Sequence, residues 1–514
     1  MLNLKKSIMR RNHFDARKGM FALAMTLVGA MSLGSCATDG FDENEKFDSG
    51  VSGVKLLSPE LSLDNVKKVS GSDGSDRIQV SWKVVYGAGG YECKAYNADN
   101  PDSIYLVAAD TVDATSYQFK TTEDTNYYVF VRTLGNAAKN NADADSASSV
   151  VASTMVPATV IPSGSDIAEF IKANLQNSDD EQAFELERSG VYTCNDTIDF
   201  QANKMTLRGN KIAHPIVTMG EKAVIMTSAQ LKVKFIDFDC TALATKWGVI
   251  EMSANPPASS SATAQNVASG KNSNKPADVF ILQDPIIISE CRFKNVPNCL
   301  FAVGNCSWGI ADFRLQNSIV QLNCDGTKTA NGAVICAYSS GFKSPSGGSF
   351  WYGGIKSITI NSCTIYNIVD NGKTRMIRFN NRDLDRLFPT ASGSCTLTDN
   401  TIIRTMNNKE FANNTPNASS YEITLENNIF YDTWRLQKFL QGNCKVTWHQ
   451  NKNTAWGIKN PIDATDLAKW VTEEDPGFDE AMTRQEFDFT KPNGGVYFQA
   501  TGAISSTIGD PRWK

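Results

Sequence analysis

The sequence predicts an all-β protein in which an N-terminal antiparallel sandwich is followed by a right-handed parallel β-helix with a capping helix at its start. Three observations predict this fold. Asn, Ser, Thr and Gly are abundant, which favours short strands joined by many turns. Alternating apolar runs succeed one another between residues 77 and 153 at the spacing of a sandwich. After residue 230 a ten-residue pattern recurs at intervals that fall to 23 residues, as stacked coils require.

Residues 1–35 have the organisation of an export signal. Six Lys and Arg residues precede an apolar run of 14 residues, from Met20 to Leu33, which is too short to cross a bilayer. Leu33-Gly34-Ser35-Cys36 then resembles the lipobox of bacterial lipoproteins, in which the cysteine thiol is acylated and becomes the first mature residue. An ordinary secretory signal with a chance cysteine is the alternative.

Residues 36–58 are predicted to form a lipidated polar tether. The resemblance to lipoproteins of polysaccharide-degrading bacteria implies a place on the outer membrane, facing the cell exterior, and retention in the periplasm stays open. No apolar stretch of 18 or more residues follows Cys36, so we expect the lipid anchor to be the only attachment to the membrane. Acidic residues follow the cysteine loosely, as they do in exported lipoproteins of this kind: Asp39, Asp42, Glu43 and Glu45.

Charge and residue counts exclude several functions. The chain has 50 Lys and Arg against 55 Asp and Glu, a formal net charge of −5, which argues against nucleic acid as a partner. Eleven cysteines follow Cys36 without a CxxC pair, and only His214 and His449 accompany them. This spacing predicts no metal site.

Residues 59–157 are predicted to form the sandwich. The run "RIQVSWKVV" places Ile78, Val80 and Trp82 on one face of a half-buried strand. The block resembles a fibronectin type III domain, with Trp82 as its core tryptophan and with Tyr127 and Tyr128 on the strand that carries the tyrosine corner. The resemblance implies a spacer, and a sugar platform at Trp82 is the alternative.

Residues 158–460 are predicted to form the β-helix, which begins with an amphipathic helix. In "GSDIAEFIKANLQ", from Gly164 to Gln176, Asp166 and Glu169 form a capping box. We expect this helix to cap the open edge of the first coil. Its apolar stripe consists of Ile167, Phe170, Ile171 and Leu175.

The recurring pattern defines the coils. Its copies start at residues 231, 286, 313, 358, 395, 423 and 446, and each has a small, amide or apolar residue in sixth place. Amides at a stacked turn position hydrogen-bond along the stack, and cysteines there are small buried hydrophobes. A large antiparallel sandwich is the alternative, but it would not repeat a turn residue at coil spacing. The sixth places are Ile236, Cys291, Ser318, Cys363, Asn400, Asn428 and Asn451.

The extra residues fall in three segments, 255–277, 338–354 and 406–420, which each precede the next copy of the pattern. Insertions at one point of a coil should line one face of the stack, and we predict that this face binds ligand. Surface decoration without function is the alternative. Aromatic rings stack on sugar rings, so the candidate glycan-binding residues are the aromatic residues at strand ends and loops: Trp247, Trp308, Phe350, Trp351, Tyr352 and Trp434.

The coil pattern resembles pectate-lyase-like β-helix proteins, and the whole chain resembles surface lipoproteins of polysaccharide-utilisation systems. Residues 461–514 look like the closing segment of that family. A lyase needs Lys or Arg as the base and often calcium, and Lys373, Arg378 and Arg382 are the candidates. Salt bridges between these arginines and nearby aspartates in a solvated turn are the alternative. A calcium site is possible only in this lyase interpretation.

The sequence therefore favours a non-catalytic, cell-surface glycan-binding lipoprotein that needs no cofactor. Its expected partners are a polysaccharide and an outer-membrane glycan transporter or surface enzymes. A polysaccharide lyase that acts on a uronic-acid polymer is one alternative, and a structural or adhesive stalk is the other.

Overall fold

The computed structural model describes a chain of two compact units, Met1–Met155 and Val156–Lys514. The predicted signal, Cys36 and most of the tether lie outside the described residues. Within the described ranges, no helix has the length and apolar character needed to cross a membrane. Those ranges are 50–245, 247–256, 265–267, 277–303, 308–324, 332–337, 342–343, 349–350, 354–370, 374–378, 388, 392–406, 411–412, 420–434, 436, 445–459 and 471–514.

The first unit contains two antiparallel sheets. Three strands pair in the order β1-β2-β5 and four pair in the order β4-β3-β6-β7. Short 3₁₀ turns cover Leu63–Asn65 and Ala137–Lys139. The strands are β1 Val66–Ser70, β2 Asp76–Ser81, β3 Gly90–Asn97, β4 Tyr105–Val112, β5 Ser116–Lys120, β6 Asn126–Leu134 and β7 Ser148–Ser153.

The core of the first unit follows the alternation in the sequence. Ile78, Val80 and Trp82 are all buried, and the ring of Trp82 meets Tyr91 edge-on with centroids 5.1 Å apart. The hydroxyl of Tyr127 accepts a hydrogen bond of 2.7 Å from the backbone N–H of Thr122, which fastens the turn before β6.

Strands β1 and β4 were not predicted. β4 lies at the edge of its sheet and exposes Tyr105, Leu106 and Val107 on both faces. A strand with two exposed faces shows no apolar alternation, so the sequence does not reveal it.

Among its described residues, the second unit is all-β apart from one helix and several 3₁₀ turns. It is built on three long sheets, which we call A, B and C. The chain visits A, B and C in that order and then returns to A. Neighbouring strands within each sheet are parallel, apart from a small antiparallel hairpin of β18 and β19 at the side of sheet A. This arrangement is consistent with a parallel β-helix.

Sheet A has twelve strands, sheet B ten and sheet C six among the described residues. Sheet A consists of β8 Ala158–Ile161, β9 Gln182–Leu186, β12 Met205–Arg208, β15 Leu231–Lys234, β18 Gln265–Val267, β19 Ala277–Leu282, β20 Ile286–Ser289, β23 Trp308–Gln316, β28 Gly354–Asn361, β31 Gly393–Thr398, β33 Ser420–Glu426 and β35 Lys445–Asn451. Sheet B consists of β10 Val191–Cys194, β13 Ile216–Met219, β16 Asp237–Asp239, β21 Arg292–Val296, β24 Ile319–Leu322, β29 Thr364–Asn367, β32 Thr401–Ile403, β34 Ile429–Tyr431, β36 Thr454–Trp456 and β37 Thr472–Glu473. Sheet C consists of β11 Thr197–Asp199, β14 Val224–Thr227, β17 Gly248–Met252, β22 Cys299–Ala302, β25 Ala333–Cys336 and β30 Arg375–Arg378, and a separate hairpin pairs β26 Phe342–Lys343 with β27 Ser349–Phe350.

Helix α1, Ile167–Asn174, precedes the first complete coil. The Asp166 carboxylate caps it by accepting hydrogen bonds from the backbone N–H groups of Ala168 and Glu169. Ile167 and Ile171 are buried in the main core of the coils. The apolar stripe and the N-cap are therefore where the sequence predicted them.

The turn from sheet A to sheet B, which we call the ladder turn, explains the recurring pattern. In the first six copies the residue before the sixth place has a left-handed backbone, and in the last coil Lys452 has the same conformation. Their φ angles lie between 47° and 59°, a conformation that L-residues other than Asn and Asp rarely adopt. In seven successive coils these residues are Phe235, Glu290, Asn317, Ser362, Asp399, Asn427 and Lys452.

Hydrogen bonds run along the ladder turns, as predicted. The backbone N–H of Cys363 donates to Asn400 over 2.9 Å, and the N–H of Asn428 donates to Asn453 over 3.0 Å. The prediction of Asn451 for the last sixth place was wrong, because Trp448 and not Val446 pairs in register with Ile423. Asn453 is 2% exposed, whereas Asn451 bonds to Glu426 on the outer side of sheet A.

The three insertions share one connection of the coil. Segments 255–277 and 338–354 follow strands of sheet C and end where β19 and β28 of sheet A begin. Segment 406–420 contains Ala412, which forms a bridge with Ile377 of sheet C, and it ends where β33 of sheet A begins. Most of their residues lie outside the described ranges. The common connection agrees with the prediction that insertions occur at one point of the coil.

Residues 471–514, which we call the C-terminal segment, return along the outer side of sheet B. Val496, Phe498 and Trp513 pack on Ile319 and Tyr366, which belong to two different coils. The segment contains the 3₁₀ turns Met482–Arg484, Pro492–Gly495, Ser505–Thr507 and Pro511–Trp513.

Candidate functional site

One row of outward-facing residues on sheet B contains two charged side chains between apolar ones. The row pairs Ile216 with Asp237, Asp237 with Arg292, and Arg292 with Ile319. From Ile319 onward the C-terminal segment covers the row; the carboxylate of Asp510, for example, accepts a hydrogen bond of 2.7 Å from the hydroxyl of Thr364 in the next coil. The polar part of the row, before Ile319, borders an open groove.

The groove has a volume of about 670 Å³. One wall is made of ladder-turn residues from successive coils, including Glu290, Asn317 and Ser362, and the other is the C-terminal segment, including Phe489 and Pro492. Coils stack about 4.8 Å apart, so the groove is elongated along the stack. An elongated ligand fits this shape better than a compact one.

Asp237 is one of two buried aspartates in the groove, at 1% exposure, and the other is Asp510. Nδ1 of His214 lies 3.0 Å from Oδ1 of Asp237. The guanidinium of Arg292 donates from Nε to the same oxygen over 2.7 Å and from Nη2 to Oδ2. A buried carboxylate needs such partners, so His214 and Arg292 hold Asp237 in place.

Phe489 lies against the other side of this ion pair. The Arg292 guanidinium carbon is 5.8 Å from the centre of the Phe489 ring, within the range of a cation–π contact. Phe489 is half-buried and stacks on Phe487, with centroids 5.8 Å apart. The groove therefore presents an aromatic edge beside a fixed polar floor.

Arg512 fixes the wall of the groove that the C-terminal segment forms. Its Nη1 donates to the carbonyl of Asn317 over 2.7 Å, and its Nη2 donates to the carbonyls of Ser318 and Ser362 over 2.9 and 3.1 Å. Nε and Nη2 also bond to Asp510. One side chain thus ties the C-terminal segment to two coils at the groove.

The sequence interpretation missed this site, although one signal was present. Asp237 and Arg292 occupy the seventh place in two consecutive copies of the pattern. Opposite charges at equivalent places of neighbouring coils predict a cross-strand ion pair. No sequence signal indicated that Phe489 and Arg512 line the groove, because they belong to no copy of the pattern.

Two predicted glycan-binding tryptophans lie in the interior. Trp308 is 0% exposed, and its indole N–H donates to the Ser253 carbonyl over 2.8 Å. Trp247 is buried against Cys299 and Cys336 on sheet C. Neither ring offers a face to a ligand in this structure, because both side chains are buried.

Most of the other predicted glycan-binding and lyase residues lie outside the described residues. Trp434 is partly buried and packs against the main core. Phe350 belongs to β27, but its side chain lies outside the described residues, as do Trp351 and Tyr352 entirely. Lys373 and Arg382 also lie outside them.

Arg378 ends β30 on sheet C and is partly exposed. Its row runs through Cys336 and Ala302 to Glu251 in register. Burial raises the pKa of Glu251, which accepts hydrogen bonds from the Gly248 N–H and the Thr245 hydroxyl. Sheet C thus carries a protonatable acid and a cation in one row.

No group of three or more His, Cys, Asp and Glu side chains that could hold a metal ion occurs among the described residues. In the groove, His214 and Asp237 use each other as partners.

The fold defines the class of the second unit, an all-β structure with long parallel sheets that is consistent with a parallel β-helix. Two family matches cover the first two thirds of the chain. Residues 9–191 match DUF4992 and residues 190–343 match DUF4957, and both families are described as domains of unknown function. No curated protein sequence matches the chain.

Several solved structures are similar at low identity. Pectate lyase Pel3 from Pectobacterium carotovorum is 13% identical, over 66% of this chain and 85% of its own, with a TM-score of 0.19. A family 28 exopolygalacturonase from Yersinia enterocolitica is 11% identical, over 82% and 90%, with a TM-score of 0.23. Pectate lyase PelI from Erwinia chrysanthemi, in complex with tetragalacturonic acid, is 10% identical, over 70% and 84%, with a TM-score of 0.13.

Proposed function

We propose that this protein is a non-catalytic glycan-binding protein and that the groove beside the C-terminal segment is its binding site. The observation that carries the proposal is the combination in one elongated groove of the half-buried ring of Phe489 with a fixed polar floor at Asp237 and Arg292. Binding sites for small polar ligands join apolar surface to a few positioned hydrogen-bonding groups in this way. A sugar ring has an apolar C–H face and a hydroxyl edge, which match these two parts.

We further infer that Cys36 is lipidated and that the lipid anchors the protein to the outer membrane, facing the cell exterior. In this proposal the first unit is a fibronectin type III-like spacer, supported by the buried Trp82 and the Tyr127 hydrogen bond to the turn before it. Helix α1 caps the first coil of a right-handed β-helix. The protein then passes polysaccharide to an outer-membrane transporter or to surface enzymes.

The test is affinity electrophoresis of the full chain against a panel of soluble polysaccharides. We expect at least one polysaccharide to retard the wild type, and Phe489→Ala to abolish the retardation. Trp456→Ala is the matched control, since Trp456 is an exposed aromatic residue of the same unit, on β36. A stalk without binding function would be retarded by none of the polysaccharides.

A polysaccharide lyase is the second candidate. It is favoured by the row on sheet C that contains both Arg378 and Glu251. A lyase removes the proton next to a uronate carboxylate with a basic side chain. The ultraviolet absorbance of an unsaturated product, followed with and without calcium, detects this reaction. Product formation that disappears in Arg378→Ala would establish the lyase and replace the non-catalytic proposal.

A further inference from the structure

The charges that line the groove indicate which class of glycan it accepts. Three carboxylates line it, those of Asp237, Glu290 and Asp510, and three cations accompany them, those of Arg292, Lys491 and Arg512. The formal charges of these six side chains therefore cancel before a ligand binds, with His214 left out of the sum.

The guanidinium of Arg292, at the floor of the groove, already forms an ion pair with Asp237. Arg292 uses Nε and Nη2, two donors on one edge of its guanidinium, to bind the carboxylate of Asp237. A uronate that took this edge would leave Asp237, at 1% exposure, without its strongest partner. An uncompensated buried carboxylate is strongly unfavourable, so this edge of Arg292 is a poor anion receptor.

The guanidinium of Arg512, in the wall formed by the C-terminal segment, is also bonded to groups of the protein. Arg512 donates to Asp510 and to three ladder-turn carbonyls, and these bonds attach the C-terminal segment to the coils. Lys491 forms an ion pair of 3.1 Å with Asp488. An anionic ligand would have to compete with each of these internal partners.

What the groove offers to a ligand is suited to hydroxyl groups. Glu290, Asn317 and Asn493 line the groove. A carboxylate can accept hydrogen bonds from hydroxyl groups, and an amide side chain can both donate and accept them. Ile212 and Pro492 add apolar surface. A carboxylate on the ligand would approach Glu290 with like charge, whereas a hydroxyl would donate to it.

We propose that the groove takes an uncharged, hydroxyl-rich saccharide and discriminates against uronic acids. This inference rests on the proposed glycan-binding function of the same groove. It separates this chain in ligand class from the pectate lyase that was solved with tetragalacturonic acid.

The test compares, by isothermal titration of the full chain, neutral hexasaccharides of glucose, mannose, xylose and galactose with oligogalacturonate of the same length. We expect a neutral ligand to bind at least about tenfold more tightly than oligogalacturonate. We also expect this binding to change little between about 0.05 and 0.5 M NaCl, because no net charge is neutralised.

Two variants sharpen the comparison. Glu290→Gln should raise the affinity for oligogalacturonate several-fold and leave the neutral ligand nearly unchanged, because only the like charge is removed. Glu422→Gln on the outer side of sheet A is the matched control and should change neither affinity.

The outcomes distinguish the two proposals. Binding of oligogalacturonate as tight as that of any neutral ligand, and lost in Phe489→Ala, would overturn the charge preference but keep the glycan-binding groove. If no saccharide of either kind binds in a way that depends on Phe489, both proposals are wrong.

Discussion

Asn428 receives two hydrogen bonds from Asn400 through a single oxygen. Its side-chain carbonyl accepts the Asn400 backbone N–H over 3.1 Å and the Asn400 side-chain amide over 2.9 Å. Its own amide donates to the Leu397 carbonyl over 2.8 Å and to Asn453 over 2.9 Å. All four residues are buried, so each ladder amide satisfies polar atoms that water cannot reach.

Removing one ladder amide should be costly. Asn428→Ala deprives Asn400, Leu397 and Asn453 of buried partners, and each unsatisfied group costs about 1–3 kcal/mol. We expect the free energy of unfolding to fall by roughly 3 kcal/mol or more, measured by chemical denaturation.

Asn451→Ala is the control for that variant. Asn451 lies in the next coil but bonds to Glu426 at the exposed side of sheet A, so its loss should cost less than about 0.5 kcal/mol. Equal effects of the two variants would contradict the assignment of Asn453 as the ladder residue of that coil.

Arg512→Ala should loosen the C-terminal segment. The change removes three hydrogen bonds to ladder-turn carbonyls and leaves Asp510, at 1% exposure, without its cation. We expect a loss of about 3 kcal/mol and faster amide hydrogen exchange in residues 471–514.

Lys514→Ala gives the comparison for that experiment. Its ion pair with Asp399 spans 3.6 Å between partly exposed side chains and should contribute at most about 1 kcal/mol. Unchanged exchange in Arg512→Ala would mean that the apolar contacts of Trp513 and Phe498 hold the segment alone.

Glu251 should make stability depend on pH. Burial raises the pKa of Glu251 in the folded chain, so the folded state keeps a proton that the unfolded state releases. Stability then falls as pH rises from the ordinary glutamate range through the raised pKa. Glu251→Gln keeps the neutral form at every pH, so the variant should lose less thermal stability than the wild type between about pH 4 and 7.

The same pH series on Glu422→Gln serves as a control, because Glu422 is exposed on sheet A. The prediction concerns the slope of the melting temperature against pH, not its absolute value. Identical slopes for the wild type and Glu251→Gln would show that Glu251 titrates normally.

The ladder cysteines should resist alkylation in the folded protein. Cys291 and Cys363 are fully buried, and burial raises the pKa of the Cys363 thiol to about 12. Because the thiolate is the reactive form, peptide mapping after brief treatment with iodoacetamide near pH 8 should find both unmodified. Denaturant should make both react, and rapid labelling of either one in the folded state would contradict its position in the stack.

The coil architecture was predictable because the turn residue and the alternating apolar positions recur together. Their last copy was misplaced by two residues, Val446 being chosen instead of Trp448. A shift of two residues leaves every side chain on the same face of a strand, so apolar alternation cannot detect it. The pairing of Trp448 with Ile423 and the hydrogen bonds of Asn453 with Asn428 and Leu425 establish the register in the structure.

The groove was not predictable from local pattern. Arg512 and Asn317 meet across 195 residues of sequence, and Phe487 meets Gln321 across 166. Repeat spacing describes how one coil stacks on the next, but it says nothing about a segment that turns back over the stack. The predicted aromatic residues had a related weakness, because local sequence does not show that Trp308 lies in the main core or that Trp247 is buried against residues of sheet C.

The return of the C-terminal segment has a consequence for biosynthesis. Residues 471–514 are synthesised after all the coils that they cover. Until then Ile319, Tyr366 and Ile403 face water and form an aggregation-prone flank. A chain cut short before residue 471 also lacks one wall of the groove, so the proposed capture of ligand requires molecules that contain residues 471–514.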